Sequence, residues 1–398
     1  MALSHKMRIL WHSVAPFIRS GYGHVTNQIV SRLADHGFDI WISAYYGVEP
    51  GGVMPYKVPV LPAKEGPFGV ASAAKFARQY GCEASILFTD WWAFSEFPKM
   101  LPRPILYGPM DMTQYSEEIL NFTRMYNKII ALCKWQQNYL RSEGIEAEMI
   151  YHGVDTSQFK PMNKAECRKK FGIPDGNFVF GTVAANSDKE SRKGGTYAIK
   201  AMKHFLDSNP DVDRKKITWM WHTQSNDPRG MPLNSICHKF GLDDVIKFMD
   251  PSQADLMIPE SELIQLMNSF DVHLMPSRRE GFGMTLLETM ACGVPNISHN
   301  WSSMTELIEG HGWLCKSLGY GLNLETTPVN AETAVPDVYD LAEQIKKSYF
   351  NTDERVKFGK MSREFSLKFN WDDLVVNQWV PLLNSLTNDK CLDDRRLI

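Results

Sequence analysis

Short apolar runs alternate with amphipathic stretches along most of this chain. That alternation narrows the possible folds more than any other feature. A short run that is apolar throughout reads as a strand buried on both faces, and the amphipathic stretch after it as the helix that covers it. Repeated, the pair builds a parallel sheet. Strands are predicted at Arg8–Trp11, Ile40–Ser43, Ser85–Thr89, Ile105–Tyr107, Lys128–Leu132 and Glu148–Tyr151. Val25, Ile29, Val30 and Leu33 recur at helical spacing, so a helix is predicted over Val25–His36, ending before Gly37.

From Pro161 to Asn177 the chain turns polar and is marked by Pro and Gly, and a second series then begins. Its strands are predicted at Phe178–Ala184, Ile217–His222, Val245–Met249, Val272–Met275 and Asn296–Ser298. Helices are predicted at Thr196–Leu206, Glu260–Met267 and Met284–Cys292. The last amphipathic stretches are Val338–Phe350, Asp353–Lys368 and Asp372–Leu386, before a charged tail from Asn388. With 398 residues the chain exceeds one ordinary core and suits two domains. The expected fold class is α/β: two Rossmann-like domains facing a cleft, over residues 1–165 and 166–370. A closing helix and tail occupy 371–398. In open parallel sheets ligands bind outside the carboxyl ends of the strands, so the chemistry is expected in the loops there.

Composition removes several function classes. The net charge is −3, so no global basic field invites nucleic acid. No apolar run reaches the roughly 18 residues that a membrane span needs. Met1 to Leu10 lacks the apolar core of a secretory signal. Seven cysteines are scattered without a C-x-x-C, as expected for reduced thiols of a cytoplasmic protein rather than a zinc or disulfide framework.

One segment carries the functional reading. Pro276-Ser-Arg-Arg-Glu280-Gly-Phe-Gly-Met-Thr-Leu-Leu-Glu288-Thr-Met-Ala-Cys-Gly-Val-Pro295 follows a predicted strand and opens a predicted helix. Gly281 and Gly283, flanking Phe282, let the backbone turn and approach a ligand. Free N–H groups at the helix start, near Met284 and Thr285, suit a phosphate, and the Thr285 hydroxyl can add a donor. Both carboxylates, Glu280 and Glu288, would repel that phosphate if they faced it. They make sense as acceptors for hydroxyls on either side, a sugar at one end and a ribose at the other.

The segment resembles the E-x7-E motif of glycosyltransferase family 4, whose members have the GT-B fold. Tyr151-His-Gly-Val-Asp155, with Phe159 and Pro161, resembles the family's interdomain junction, with His152 in place of Asn. Val183 to Gly194 resembles its Arg/Lys-bearing loop, and Met304-Thr-Glu306 the segment after the E-x7-E helix. The resemblance implies a retaining, metal-independent transfer of a hexosyl group from a UDP- or GDP-sugar to an acceptor hydroxyl. Attack on the front face would let the leaving phosphate take the acceptor proton. Glu280 would hold the sugar and Glu288 the ribose. Arg192 and Lys193 would stabilise the diphosphate. Members commonly separate these two cations, whereas here they are adjacent, so Lys193, just before Gly194, is the closer match. The resemblance implies that the first domain, 1–165, binds the acceptor and the second, 166–370, the nucleotide-sugar donor, and that the final helix crosses back onto the first domain.

Other positions complete the list. Gly21 and Gly23, in the loop from Ser13, are expected to close over the donor phosphates or the acceptor. Asp111, in Tyr107-Gly-Pro-Met-Asp111, stands where many relatives carry a His; it reads either as a loop cap or as a contact to the sugar. The strand end near Phe248–Gln253 should touch the base, without distinguishing uracil from guanine. Trp91-Trp92-Ala-Phe94-Ser-Glu-Phe97 is core, acceptor wall or shallow membrane contact. Asp211-Val-Asp213 imitates a metal-binding D-x-D but lies in a polar turn, and no metal or cofactor is expected. The partners implied are a nucleotide sugar and a glycan, lipid or small-molecule acceptor. The competing readings are a sugar-nucleotide epimerase of the same fold and a non-catalytic nucleotide-sugar binder.

Overall fold

The computed structural model describes residues 7–51, 56–249, 258–322 and 329–388. Two parallel sheets organise them. The first contains β1 (Arg8–Val14), β2 (Asp39–Tyr46), β3 (Val60–Pro62), β4 (Ala84–Leu87), β5 (Pro104–Leu106), β6 (Lys128–Ala131) and β7 (Glu148–Met149), in the order β3-β2-β1-β4-β5-β6-β7. The second contains β8 (Phe178–Val183), β9 (Ile217–His222), β10 (Ile246–Phe248), β11 (Val272–Met275), β12 (Asn296–His299) and β13 (Trp313–Cys315), in the order β10-β9-β8-β11-β12-β13.

Side chains alternate across each sheet and feed two cores. In β1, Ile9 and Trp11 face one cluster and Leu10 the other. In β8, Val179 and Val183 face one and Phe180 the other. Period-two alternation with both faces buried explains why these strands read as continuous apolar runs. Helix Gly21–Asp35 covers one face of the first sheet through Val25, Ile29, Val30 and Leu33. The chain's last helical stretch shares that face. Trp371, Leu374, Val375, Trp379 and Leu383 join the same cluster, and Trp379 stands 5.8 Å from Trp11. One turn of it, Val375–Trp379, is a π-helix.

The structure differs from the sequence reading in several places. Helix Gly21–Asp35 starts four residues before the predicted Val25, because the Ser20 hydroxyl accepts from Gly23 N and caps it. Gly21 and Gly23 therefore sit in the first helical turn, not in the loop. Helices at Val70–Gln79, Lys134–Ser142 and Ser303–Ile308 were not anticipated. Neither was an antiparallel hairpin, β14 (Ser317–Leu322) with β15 (Glu332–Pro336). This hairpin reaches the other domain: Thr113 and Glu332 exchange both backbone hydrogen bonds, at 3.1 and 2.8 Å. In the aromatic stretch, Trp91, Phe94 and Phe97 are buried, so they belong to the core. Asp213 of the D-x-D caps a 3-10 turn through Lys215 N. The tail beyond 388 lies outside the described residues.

Candidate functional site

Loops that follow β4 and β5 in one sheet and β8 and β11 in the other come together, with Asp111 beside Arg279, Pro109 against Gly281, and Asp111 and Asp90 both acting on Arg192. Glu280 sits among them. It is 6% exposed, its N–H donates to Ser302 Oγ, and its carbonyl accepts from the Ser303 hydroxyl. Backbone anchoring at both ends fixes the carboxylate although it rides on a loop.

Lys193 Nζ donates to Glu280 Oε1 at 2.6 Å, and Arg192 Nη1 lies 4.0 Å from the same oxygen. Burial alone would raise the Glu280 pKa, but these two cations outweigh it and hold the carboxyl below its ordinary value. Burial lowers Lys193, partly offset by Glu280. Burial also works against Arg192, yet Glu280, Asp111, Asp188 and Asp90 together keep it firmly charged. The loop that presents both cations is pinned by Asp188, whose carboxylate accepts from Arg192 N at 2.8 Å. Gly194 ends this loop at φ 76°, and a Cβ there would run into the Pro276 carbonyl. Only glycine lets this loop and the E-x7-E loop approach so closely.

The helix that begins at Met284 has Gly283 before it in the left-handed region, φ 93°, with no side-chain cap. Its first turn therefore keeps amides that no side chain caps, the arrangement an anion site would use. The Thr285 hydroxyl, however, donates to Met275 Sδ at 3.2 Å, which turns it away from an anion. Phe282 is buried against Tyr151, His152 and Phe369, so only its backbone can reach a ligand. Met284 packs on the cores of both domains.

Glu288 lies one turn further into that helix. Its carboxylate has no hydrogen-bond or ion-pair partner among the described residues. Burial, then Glu260, push its pKa up to about 8. Glu260 meets His24 of the first domain at 3.6 Å, so this corner of the cleft also joins both halves.

Asp111 reaches the opposite domain: its Oδ1 stands 3.6 Å from Arg279 Nη1. Arg279 also meets Glu190 at 3.5 Å, and Arg278 donates to the Glu190 carbonyl. The Arg278-Arg279 pair beside Glu280 was therefore the signal for a network that sequence reasoning left out. Asp90, at the end of the β4 loop, was missed altogether. It takes the Tyr22 hydroxyl at 2.8 Å. Gly21 has open space around it, whereas a Cβ on Gly23 would strike the Ile18 carbonyl, which makes Gly23 a packing glycine. Phe248 ends β10, and the rest of the expected base contact, 250–253, lies outside the described residues. Among the described residues no group of His, Cys, Asp or Glu is arranged to hold a metal ion, and no helix is long and apolar enough to cross a membrane. The six described cysteines are buried and unbonded.

Two parallel-sheet α/β domains that face each other define a protein of the GT-B fold. Solved structures agree. The chain superposes on sucrose-phosphate synthase of Thermosynechococcus elongatus with a TM-score of 0.76, at 17% identity, over 96% of this chain and 100% of that one. It superposes on Anabaena HepE in complex with UDP-glucose with a TM-score of 0.72, at 16% identity, over 95% and 100%. Residues 187–346 match the family model described as Glycosyl transferases group 1. Among curated relatives, the O-antigen biosynthesis glycosyltransferase WclY of Escherichia coli is 31% identical over 190 residues, 46% of each chain. The D-inositol 3-phosphate glycosyltransferase of Thermobifida fusca is 23% identical over 163 residues, 40% of this chain and 36% of that one. The chain thus spans less than half the length of these two relatives.

Proposed function

We propose that the protein is a retaining glycosyltransferase that moves a hexosyl group from a UDP- or GDP-sugar to an acceptor hydroxyl without a metal. The observation that carries this reading is the convergence of Lys193, Arg192 and Glu280 beside the uncapped start of helix Met284–Ala291. Cations and backbone amides together suit a diphosphate and the charge that builds on it as the sugar departs. Solved structures of the same fold include complexes with UDP and with UDP-glucose.

In this reading the bond from the anomeric carbon to the phosphate oxygen breaks, and the acceptor oxygen bonds to the same face. The acceptor proton passes to the leaving phosphate. Lys193 and Arg192 stabilise the diphosphate and Glu280 holds the sugar hydroxyls and opposes positive charge at the ring. Asp111 orients the transferring sugar or the acceptor. The backbone of Gly281, Phe282, Gly283, Met284 and Thr285, with Gly21, cradles phosphate, and Glu288 binds the ribose. Six buried free cysteines favour a reducing compartment, the cytoplasm.

The test is thermal shift of the whole protein with UDP, GDP and their sugars, with and without Mg²⁺, followed by acceptor-dependent release of nucleotide. Stabilisation by one base independent of Mg²⁺, with release that requires an acceptor, is the expected result. Acceptor-free interconversion of the sugar would make it an epimerase, binding without any release a non-catalytic binder.

A further inference from the structure

We propose that the first domain carries an acceptor subsite for an uncharged sugar ring, with the exposed face of Phe68 as its stacking platform and the Asp90 carboxylate as its hydroxyl anchor. The proposal rests on the glycosyltransferase reading above and adds the acceptor's chemical class.

Phe68 is 52% exposed and adopts φ 47° and ψ 31°, a left-handed conformation that a bulky aromatic residue rarely takes. Such strain persists only where surroundings impose it, and it concentrates at binding sites. The constraint here is visible. His12 Nε2 lies 3.1 Å from the Phe68 carbonyl, and His12 Nδ1 3.0 Å from the Ser43 hydroxyl. Burial lowers the His12 pKa to about 4, so the ring is neutral. A carbonyl only accepts, so Nε2 carries the proton and donates to Phe68, while Nδ1 accepts from Ser43. A fully buried histidine thus holds a surface aromatic in place. Phe94 supports the ring at 5.0 Å and Tyr45 meets it edge-on at 6.2 Å. A ring fixed in advance loses little freedom when a ligand stacks on it.

The strip continues toward the reaction centre. The Tyr45 hydroxyl lies 2.6 Å from Thr89 Oγ1, next to Asp90. Asp90 is reachable by water, and Tyr22 donates to its Oδ1. Its Oδ2 has no hydrogen-bond partner among the described residues, and it forms no ion pair within 4.0 Å there. Asp111, Arg192 and Arg279 all act on its charge. Asp90 is thus in electrostatic reach of the cations around Glu280. An ionised carboxylate accepts hydroxyl protons and repels phosphate. A ring with apolar C–H faces and free hydroxyls therefore suits this strip, and a phosphorylated acceptor does not.

The test is saturation-transfer NMR on the whole protein with saturating UDP. The probes are methyl α-glucoside, methyl α-galactoside, methyl α-mannoside and methyl N-acetylglucosaminide, each beside its 6-phosphate. We expect at least one neutral glycoside to receive saturation at its ring C–H protons, and more than its phosphate does. Phe68→Ala and Asp90→Asn should each weaken it about fivefold. Each variant is first checked for an unchanged thermal shift with UDP, so that lost folding or lost donor binding is not mistaken for a lost subsite. Preference for the phosphates, absence of binding by every neutral probe, or binding that survives both substitutions overturns the proposal. Failure of the wild type to respond to UDP and to GDP alike would instead strike the donor reading, whereas a response to GDP alone makes GDP the saturating nucleotide.

Discussion

Lys193 Nζ lies 2.6 Å from Glu280 Oε1, and the loops that carry the two residues come from different strands of one sheet. The Glu280 side chain is 8% exposed and Lys193 21%, so neither charge is well solvated without the other. Lys193→Ala leaves Glu280 with Arg192 at 4.0 Å as its nearest cation. We expect a loss of about 1–3 kcal/mol of stability, less than for a fully isolated buried charge because Arg192 remains. UDP affinity should fall with it. Thermal melts with and without UDP measure both; an unchanged UDP response would remove Lys193 from the phosphate site. Glu280→Gln should abolish transfer and cost a comparable amount, about 1–3 kcal/mol, because Lys193 and Arg192 lose their shared carboxylate, while the loop stays in place through the Ser302 and Ser303 bonds to the Glu280 backbone.

Gly21 and Gly281 make opposite predictions. Gly21 has open space around it and lies in the first turn of a helix, so Gly21→Ala should leave the fold as stable or stabilise it by about 0.5 kcal/mol. If phosphate approaches its backbone, UDP affinity falls all the same. A Cβ on Gly281 would instead run into Pro109 of the other domain. Gly281→Ala should wedge the cleft open, lowering turnover at least about tenfold, as misplacement of reacting groups does. The thermal midpoint should move little. Small-angle scattering would show the expansion, and an unchanged radius of gyration with full turnover would contradict the wedge.

Glu288 gives a pH dependence with a definite sign. Its folded pKa is about 8 against an ordinary 4.5, so between these values the native state holds more protons than the unfolded chain. Its contribution to stability is fully present below about 4.5 and is lost as pH rises through 8. Glu288→Gln keeps a neutral side chain at every pH. The variant should therefore match wild type near pH 5 and exceed it near pH 9, by an amount on the order of a few kcal/mol. Melts at both pH values decide; parallel curves would mean that the carboxyl is solvated.

The two sheets were legible because their strands are buried on both faces, which writes them as apolar runs, as Ile9, Leu10 and Trp11 show. Helix Lys134–Ser142 was not, because part of what holds its start is remote. Glu306 of the second domain accepts from the Lys134 and Trp135 amides at 3.2 and 3.3 Å. Glu280 and Lys193 were legible from motif and loop context. Arg279 and Asp90 were not, since each acquires its surroundings only when the domains face each other. The start of helix Gly21–Asp35 was misplaced because two glycines read as loop, although Ser20 caps the turn that contains them.

The Glu306 contact is itself testable. It brings a carboxylate to a helix N-terminus across the domain boundary and also takes the Tyr151 hydroxyl at 3.1 Å. Glu306→Ala should cost about 1–2 kcal/mol in urea unfolding. An unchanged midpoint would mean that water replaces the carboxylate without loss.

The hairpin β14–β15 supplies the second tie between domains. Thr113 and Glu332 exchange two backbone bonds, while Val329 and Ala331 are buried in the first domain's core cluster. Glu332→Pro removes the N–H that donates to the Thr113 carbonyl at 2.8 Å and leaves the apolar contacts in place. Because Lys193, Arg192 and the start of helix Met284–Ala291, the proposed donor site, all belong to the second domain, UDP affinity should hold. What the bridge controls is how firmly Asp111 and Asp90 face Glu280. The variant should therefore lose kcat and gain acceptor KM, with a larger radius of gyration in solution. Full kcat in Glu332→Pro would mean that the Arg279–Asp111 and Glu306 contacts close the cleft without the bridge.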